Sequence, residues 1–452
     1  MSPLSVKGGV VSLPARLLAG GVLLAAAGAG HAWSDHAGLL WPMLRAMPEL
    51  LAPSLRAQSL DAFLAAEAEG LETLLAAEEQ RARAHSEHYA ARPEALRFSS
   101  AAPDRRAAFL AAIRVNPTLS YPLYRQDTVE DEPAAALAWS SLSIPAAGAA
   151  HPAARYRALA PGEPVAPAQV IASASDEPDF GMDIGLFEDS GTAFGRRYGF
   201  GAQPFGNPNL GYGSQAPFHM GFYHLDYLTR SVRPDLLRTY PAWRVSLFDA
   251  LARFAFARGH EYWGWRFSGW ALHYIGDLTQ PYHAQPLPGV GALEALWLVL
   301  RGRTAEAIQL VSNRHGLIES YQYQRVQADL RDRAWDTPLM TALAASAPAP
   351  VWEDNTLVDV LARESVAAGA ELDAVLLAHA PARFVADPAF EWTGSGEESR
   401  VLAHIEAQGG TPALDAVLLR QMARFSRFSR AWVQRTVTLA GSQPTPIEDA
   451  NP

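Results

Sequence analysis

Residues 271–283, ALHYIGDLTQPYH, place two histidines and an aspartate inside an otherwise apolar run. The apolar periodicity predicts a buried helix, and on it His273 and Asp277 stand four residues apart. Their side chains therefore share one face and can reach a common point. Pro281 should end or bend the helix and direct His283 elsewhere. A histidine and a carboxylate so placed can share one cation, and the carboxylate can bridge to a second. The alternative is a purely structural hydrogen-bonded pair, which has the same spacing.

Helical patterns extend along the chain on both sides of this stretch. Convincing alternating strands are scarce and no internal repeat is found, so the sequence predicts a mostly α fold. The pattern that includes the opening stretch covers residues 240–278, with possible interruptions at Gly259 and Gly264. The other candidate helices cover residues 54–91, ending at Arg92-Pro93, and residues 293–310, 357–377, 399–407 and 414–439.

Two segments depart from this helical pattern. Residues 133–178 are rich in Ala, Pro and Ser and predict a long irregular connection. Residues 181–217 are dense in Gly, Phe, Asn and Pro and predict a looped surface segment. We interpret residues 33–452 as one α-helical domain that carries an inserted helical and Pro/Ala-rich region at about residues 50–170.

The composition narrows the class of protein. The 452 residues are 49% hydrophobic, which allows a large core, and the formal net charge of −10 argues against a general nucleic-acid-binding face. The chain has no cysteine. Disulfides and Cys-ligated zinc are therefore excluded, and any metal must sit on His, Asp, Glu or backbone groups.

The first 32 residues have the features of an export signal. Lys7 and Arg16 flank the start, residues 17–30 form an apolar Ala/Gly-rich stretch, and residues 30–32 (GHA) offer small side chains at the −3 and −1 positions. We expect cleavage after Ala32 and an exported protein, periplasmic or secreted. An uncleaved N-terminal anchor is the alternative, but the apolar stretch is shorter than the about 20 residues that a spanning helix needs.

A second histidine–carboxylate pair follows downstream. His315 and Glu319, in the sequence NRHGLIES, repeat the spacing of His273 and Asp277. A solvated helix face would explain one such pair by itself. Two pairs with His283 between them favour a metal site.

Residues 273–284, HYIGDLTQPYHA, and the later pair resemble the signature of the zinc-dependent phospholipase C and single-strand-specific nuclease superfamily. Members carry a His-Tyr-x-x-Asp-x-x-x-Pro-x-His-Ala segment followed by His-x-x-x-Glu or His-x-x-x-Asp. The resemblance implies a multi-helix phospholipase C/nuclease-like fold with long loop insertions and a site for three zinc ions.

In that superfamily the mature N-terminal tryptophan is itself a ligand, through its free α-amine and carbonyl oxygen, and a nearby histidine joins it. Cleavage after Ala32 would leave Trp33 as the first residue, with His36 close behind. A free amine near neutral pH is a competent metal ligand once it is deprotonated. An ordinary buried aromatic residue is the alternative for Trp33.

The resemblance also implies an aspartate and a histidine between the N-terminus and the opening stretch. Asp176 is the best match for the aspartate, with Asp179 or Asp183 as possible substitutes. For the histidine we prefer His219 to His224. The Gly/Pro-rich segment between the two regions would then be an inserted loop.

The scheme implied by the resemblance assigns nine metal ligands to this chain. One zinc ion would be held by Asp176, His219, His273 and Asp277, a second by Trp33, His36 and the bridging Asp277, and a third by His283, His315 and Glu319. Ions so placed would neutralise phosphate oxygens, and a water between the close pair would become the nucleophile. Asp176 is also the implied catalytic base that orients this water.

These features predict an exported zinc-dependent phosphodiester hydrolase, a phospholipase C that acts on phospholipids with transient contact to a membrane surface. Glu319 favours a phospholipid substrate, because the nuclease branch tends to carry Asp at the position of Glu319. The lack of cysteine and the excess of acidic residues favour the same substrate. One alternative is a single-strand nuclease in which Phe205 or Tyr212 would stack on bases. Another is a non-catalytic relative. No protein partner is predicted.

Overall fold

The structure is a computed structural model that describes residues 33–86, 88–132, 134–144, 154–206, 212–291, 297–298, 300–344 and 348–441. Over these residues the chain is mostly helical, which confirms the predicted fold class. The predicted export signal, residues 1–32, lies outside the described residues. None of the described helices combines the length and the apolar character that crossing a membrane requires.

Helices of very different length make up the fold. The α-helices are His36–Arg45, Leu60–His85, Arg105–Ala112, Pro167–Asp176, Gly195–Tyr198, Ala216–His219, Tyr227–Val232, Pro241–Ala257, Glu261–Leu278, Pro281–Ala284, Thr304–Arg331, Pro338–Ala344, Arg363–His379, Ala382–Val385, Val401–Ala407 and Thr411–Gly441. The 3₁₀ helices are Pro48–Leu50, Glu94–Leu96, Trp139–Ser141, Glu177–Phe180, Glu188–Ser190, Tyr212–Gln215, Pro234–Leu237 and Glu398–Arg400, and a π-helix covers Thr356–Ala362.

Most of the predicted helices are confirmed, some with shifted boundaries. The range 54–91 becomes Leu60–His85, which bends at Glu67 and ends before Arg92-Pro93. The range 293–310 overlaps only the start of Thr304–Arg331, and residues 292–296 and 299 lie outside the described part of the chain. The three predicted ranges nearest the C-terminus coincide with observed helices to within about one turn.

Four short strands form two separate antiparallel ribbons. Leu55–Arg56 pairs with Pro164–Val165. Tyr124–Gln126 pairs with Tyr156–Ala158, with Tyr124 opposite Ala158. Two of these strands, Tyr156–Ala158 and Pro164–Val165, lie inside the range 133–178, and so does the helix Pro167–Asp176. The prediction of one long irregular connection was therefore wrong.

The helix in that range is Pro167–Asp176. Proline at its first turn is compatible with a helix, because the N–H that proline lacks would have no partner there. The Ala-, Pro- and Ser-rich composition of this region hides the helix, because proline is common both in irregular connections and at the first turn of a helix. The helix matters for function, since its C-terminal end approaches the opening stretch.

The opening stretch begins within the helix Glu261–Leu278, here called the site helix. A break at Gly259 separates it from Pro241–Ala257, as predicted, whereas Gly264 lies within the site helix and that predicted interruption was wrong. Residues 262–278 are all buried, so the helix is central to the core and has no solvated face over this length. It ends at Leu278, ahead of the proline that was expected to stop it.

The site helix packs against three neighbours, Pro167–Asp176, Pro241–Ala257 and Thr411–Gly441. Gly269 allows the first of these to approach closely: a Cβ atom at Gly269 would lie 2.5 Å from the Ala174 Cβ. The close approach brings the chain that follows Pro167–Asp176 against the face of the site helix that carries the histidine and the aspartate.

Residues 181–206 form an irregular segment that packs into the core. Leu186 and Phe187 are fully buried, and Phe200 packs against Tyr240 with ring centroids 5.2 Å apart. The prediction of a loop holds apart from the two one-turn helices Glu188–Ser190 and Gly195–Tyr198. The predicted surface location is correct only in part, because the aromatic side chains are anchored in the core while Arg196 and Arg197 are exposed. Residues 207–211 of the predicted loop lie outside the described part.

Candidate metal centre

His36 meets the site helix at its C-terminal end. Its ring is fully buried and lies against the ring of His273, with centroids 4.3 Å apart. His36 Nε2 is 3.2 Å from Asp277 Oδ1. Gly276 leaves room for this approach, because a Cβ atom there would lie 2.8 Å from the His36 ring. One potential ligand atom from each of His36, His273 and Asp277 lies within 4.8 Å of the others.

His219 brings a second segment to the same place. It is the last residue of the short helix Ala216–His219, and its Nδ1 lies 2.9 Å from Asp277 Oδ2 and 3.0 Å from His273 Nε2. Asp179 Oδ1 is 3.8 Å from His219 Nδ1 and 3.7 Å from His273 Nε2. Asp179, His219 and His273 therefore form a second group of potential ligand atoms within 4.8 Å of one another.

The two groups share His273 and form one continuous centre, here called the five-residue cluster. Its members are His36, Asp179, His219, His273 and Asp277. All five side chains are buried, with at most 4% of their surface exposed. The cluster collects side chains from four segments that are far apart in sequence, so it exists only when the tertiary fold is complete.

A further group, here called the three-residue cluster, consists of His283, His315 and Glu319. His283 Nε2 lies 3.1 Å from His315 Nε2, and His315 Nε2 lies 2.5 Å from Glu319 Oε1. His315 and Glu319 share one face of the helix Thr304–Arg331, as their spacing predicts. His283 comes from the short helix that begins at Pro281, a separate element that follows the end of the site helix.

Backbone carbonyls orient two of the imidazoles. His273 Nδ1 lies 2.7 Å from the Ser175 carbonyl oxygen, and His283 Nδ1 lies 2.7 Å from the His219 carbonyl oxygen. An Nδ1–H that donates to a carbonyl leaves the Nε2 lone pair available on the other side of the ring. In both residues Nε2 is the atom that faces the other cluster members, which is the arrangement of a metal-ligating histidine. The second bond also ties the two clusters together.

Several polar atoms in the centre lack a hydrogen-bond partner among the described residues. They include both ring nitrogens of His36 and Oδ1 of Asp277. Buried polar atoms are nearly always paired with protein, water or an ion, and unpaired ones are costly. Imidazole nitrogens and carboxylate oxygens that converge without hydrogen bonds fit a cation as the missing partner. These buried groups could therefore hold metal ions.

The carboxylates dominate the electrostatics of the five-residue cluster. Burial alone would lower the pKa of His219, but Asp183 and Asp277 outweigh it and raise that pKa to about 10. Burial would likewise raise the pKa of Asp277, but His273, His219 and His36 hold it well below its usual value. Without a metal, the cluster is thus an ionised carboxylate beside a protonated imidazole.

Two other histidines have the opposite character. Burial lowers the pKa of His36, and the nearby His273 lowers it further. Burial and the neighbouring His315 lower the pKa of His283 to about 3. Neutral imidazole is the form that binds a metal, so both residues are in the competent state at neutral pH.

Trp33 lies beside the site helix. Its side chain is fully buried, and its Nε1 donates a hydrogen bond to Thr279 Oγ1 over 2.8 Å. Thr279 follows the last residue of the site helix, so the structure places the Trp33 side chain at the same end of that helix as Asp277. The cleavage that would free its amine falls among residues outside the described part of the chain.

Asp176 occupies a different position from the other predicted ligands. Its Oδ1 accepts a hydrogen bond from Ala37 N over 3.2 Å, at the start of the helix that carries His36. Burial and the nearby Asp35 raise its pKa well above the usual value. Among the described residues, Asp179 supplies the carboxylate that lies with His219 and His273, and Asp176 does not. Asp179 is one of the two substitutes that the sequence left open.

The structure also shows where the other candidate residues lie. His224 is half-buried, and its Nε2 lies 2.7 Å from the Val358 carbonyl oxygen, away from both clusters. The structure thus brings His219 to the centre and leaves His224 outside it. Asp183 lies 3.5 Å from His219, but at Nε2 rather than at the ring nitrogen that faces Asp277.

Sequence reasoning missed the polar residues that surround the ligands. Tyr274 and Arg244 both donate hydrogen bonds to Asp183, and Arg244 is fully buried within an apolar helix. A charged residue in the middle of an apolar helical pattern needs a buried partner, which is the signal that could have identified it. No protein-family model, curated protein or solved structure matches the chain at a significant level. The residues and their geometry alone carry the functional interpretation.

Proposed function

We propose that the protein is an exported zinc-dependent phosphodiester hydrolase, a phospholipase C that acts on phospholipids. One observation carries the proposal: two adjoining clusters of buried imidazoles and carboxylates, linked by the bond between His283 and the His219 carbonyl oxygen. Several adjacent cation sites in one centre are typical of enzymes that act on phosphate esters. The resemblance of residues 273–319 to the phospholipase C and nuclease superfamily points to the same chemistry.

Zinc fits the donor atoms. The ligands on offer are imidazole nitrogens and carboxylate oxygens, and zinc accepts both in four-coordinate sites. In the proposed scheme His219, His273, Asp179 and Asp277 would hold one ion. Asp277 would also help to hold a second, together with His36 and the amine of a cleaved Trp33. The third ion belongs to the three-residue cluster.

The side chains have separate roles in this scheme. When bound, zinc ions would supply Lewis-acid stabilisation of the phosphate oxygens and would make a water acidic enough to attack. Asp179 would hold that water in place as a general base, the role that the resemblance gives to Asp176. Ser175 and His219 keep the imidazoles of His273 and His283 aimed inward through their carbonyl oxygens. Burial of both clusters limits competing water.

Phospholipid is the substrate that the residues favour over single-stranded nucleic acid. Glu319 stands where the nuclease branch tends to carry Asp, and the net charge of −10 is unfavourable for a polyanion. Phe205, which was expected to stack on bases in a nuclease, is 7% exposed and packs against Phe222 with ring centroids 5.1 Å apart. The side chain of Tyr212, the other expected platform, lies outside the described residues.

The proposal is tested with the mature protein, loaded with zinc and freed of excess metal. We expect about three zinc ions per chain, and hydrolysis of a phosphatidylcholine analogue well above that of single-stranded DNA. Protein that retains no zinc would overturn the metalloenzyme proposal. Faster hydrolysis of DNA would replace phospholipase with nuclease, and N-terminal sequencing of secreted protein would test export and cleavage after Ala32.

A further inference from the structure

Asp183 lies behind His219, on the side of the ring away from the other ligands. It belongs to the buried irregular segment that follows the 3₁₀ helix Glu177–Phe180, and its side chain is fully buried. Asp183 Oδ2 is 3.5 Å from His219 Nε2. Because His219 Nδ1 faces Asp277, a carboxylate at Nε2 cannot bind the same ion as Nδ1. Asp183 therefore contacts a proposed ligand without being one.

The carboxylate of Asp183 is held on both oxygens. Tyr274 donates a hydrogen bond to Oδ2 over 2.6 Å, and Arg244 donates to Oδ1. Arg244 is itself anchored, because Nη1 donates to the Ile113 carbonyl oxygen and Nη2 to the Arg114 carbonyl oxygen, each over 2.8 Å. With its partner fixed on the backbone and its other oxygen held by a buried phenol, the carboxylate has no freedom to turn away from His219.

The His219 ring needs such a partner. The residue ends a helix of a single turn, its ring packs against the rings of His273 and Tyr274, and its carbonyl oxygen is occupied by His283. His219 Nε2 is buried and has no hydrogen bond within the described part of the chain, and Asp183 Oδ2 is the carboxylate oxygen that faces it. Hydrogen bonds at catalytic sites are often long in the unliganded state and shorten when the site is filled.

We propose that Asp183, fixed by Arg244 and Tyr274, positions the imidazole of His219 so that Nδ1 is presented to the metal. The inference rests on the proposed zinc binding and adds to it a carboxylate–histidine–metal relay. In such relays the outer carboxylate accepts the ring N–H, sets the orientation of the ring and increases the basicity of the ligand nitrogen. Asp183 is a positioning residue and touches neither metal nor substrate.

The decisive variant is Asp183→Asn, compared with Glu177→Gln. Glu177 also forms a buried pair, with Arg266 at 2.5 Å and an additional hydrogen bond from Trp270, but its hydrogen bonds among the described residues do not include a ligand histidine. Zinc affinity is measured by competition with a chromophoric chelator, and thermal midpoints are measured in parallel. We expect Asp183→Asn to lower the affinity for one of the bound zinc ions about 10–100-fold and to leave the affinity for the others unchanged. Glu177→Gln should lower the thermal midpoint without changing zinc affinity.

Tyr274→Phe provides a second variant in case Asp183→Asn does not fold. It removes the phenol that holds Asp183 and keeps the carboxylate, so the same zinc ion should be weakened by a smaller factor. A nuclear magnetic resonance readout is independent of affinity: the ring N–H of His219 should be protected from exchange in the zinc-loaded protein and in Glu177→Gln, and unprotected in Asp183→Asn.

The outcomes separate the two proposals. If the unmodified protein binds zinc and Asp183→Asn, or Tyr274→Phe where the former does not fold, binds it equally tightly, the relay is wrong and the metal centre stands. If Glu177→Gln weakens zinc as much as the Asp183 variant, the effect is general destabilisation and the relay is again wrong. If the unmodified protein binds no zinc, both proposals fall together.

Discussion

The two clusters use the same kinds of ligand but balance their charge in opposite ways. In the five-residue cluster the carboxylates raise the pKa of His219 to about 10, so in the metal-free protein this imidazole carries a proton at neutral pH. In the three-residue cluster burial and His315 lower the pKa of His283 to about 3, so that imidazole stays neutral. A cation that bound there would therefore displace a proton from the first cluster, whereas His283 in the second is already deprotonated.

The clusters also differ in how the chain assembles them. His315 and Glu319 are neighbours on one helix, and His283 joins them from the turn that follows the site helix. The five-residue cluster needs the N-terminal helix, the turn after Pro167–Asp176, the helix Ala216–His219 and the site helix to meet. Changes that loosen packing should therefore impair the first cluster before the second.

Replacing Asp277 should have the largest effect. Asp277→Asn keeps the shape of the side chain but removes the charge that meets His36, His219 and His273. We expect hydrolysis to fall to background and the zinc content to fall to the ion of the three-residue cluster. Glu319→Gln is the matched change in the other cluster, and metal analysis should show the reverse loss. Normal turnover by Asp277→Asn would refute the assignment of the shared ligand.

The next effect distinguishes Asp179 from Asp176. Asp179→Asn should lower the zinc affinity of the five-residue cluster by at least about 100-fold. Loss of a residue that only contacts a metal ligand lowers affinity by up to about 100-fold, and loss of a ligand itself should cost at least as much. Asp176→Asn should leave zinc affinity nearly unchanged, because Asp176 Oδ1 accepts a backbone N–H and an amide oxygen can do the same. Chelator competition on the two variants decides the ligand; the opposite ranking would restore Asp176 to that role.

Asp176→Asn carries a second expectation, for stability. The pKa of Asp176 is raised in the folded metal-free protein, so the folded state binds a proton that the unfolded state releases above its lower pKa. The protonated Asp176 carboxyl therefore stabilises the folded state fully at pH values below the pKa that Asp176 has in the unfolded chain. This stabilisation is lost as the pH rises through the higher pKa that Asp176 has in the folded protein. When the pH is raised from about 4 to about 7, the free energy of unfolding should fall less for metal-free Asp176→Asn than for the metal-free unmodified protein. The lower pH is close to the pKa of an unfolded aspartate, and the higher pH is well above it. Urea denaturation at both pH values checks this, and an unchanged pH dependence would contradict it.

Local spacing predicted the parts of the centre that lie on single helices. His273 with Asp277, and His315 with Glu319, follow from the periodicity of a helix and need no tertiary information. The choice between Asp176 and Asp179 depends on where one helix stops and a 3₁₀ turn begins, which a single sequence leaves uncertain by a few residues.

The residues that surround the candidate ligands could not be predicted from the sequence, for a different reason. Asp183 meets His219, Tyr274 and Arg244 only because an irregular segment folds into the core. Such contacts join positions tens of residues apart, and no periodicity encodes them. The same holds for the approach of His36 to the site helix, which only the resemblance anticipated.

A smaller and more selective effect is expected at the N-terminus. The Trp33 indole is held at the C-terminal end of the site helix by its bond to Thr279, so an added residue ahead of Trp33 should leave the indole in place while removing the free amine. We expect the extended protein to hold one zinc ion fewer, lost from the side of His36, with little change in thermal midpoint. Protein that begins at Trp33 is the control. Equal zinc content in the two forms would show that the amine is not a ligand.

The smallest effect is a difference in protons released on zinc binding, and it tests the comparison of the clusters directly. At about pH 9 a free α-amine, such as that of Trp33, is largely deprotonated, whereas metal-free His219, with a pKa of about 10, still carries a proton that a zinc ion at Nδ1 must displace. His283, with a pKa of about 3, has none to lose at that pH. The Asp277→Asn variant, which should load only the three-residue cluster, should therefore release about one proton fewer per chain than the unmodified protein. Calorimetric titration in buffers of different ionisation enthalpy measures the count. Equal release by both proteins would mean that the carboxylates of the five-residue cluster do not hold a proton in place of the metal, and the contrast between the clusters would disappear.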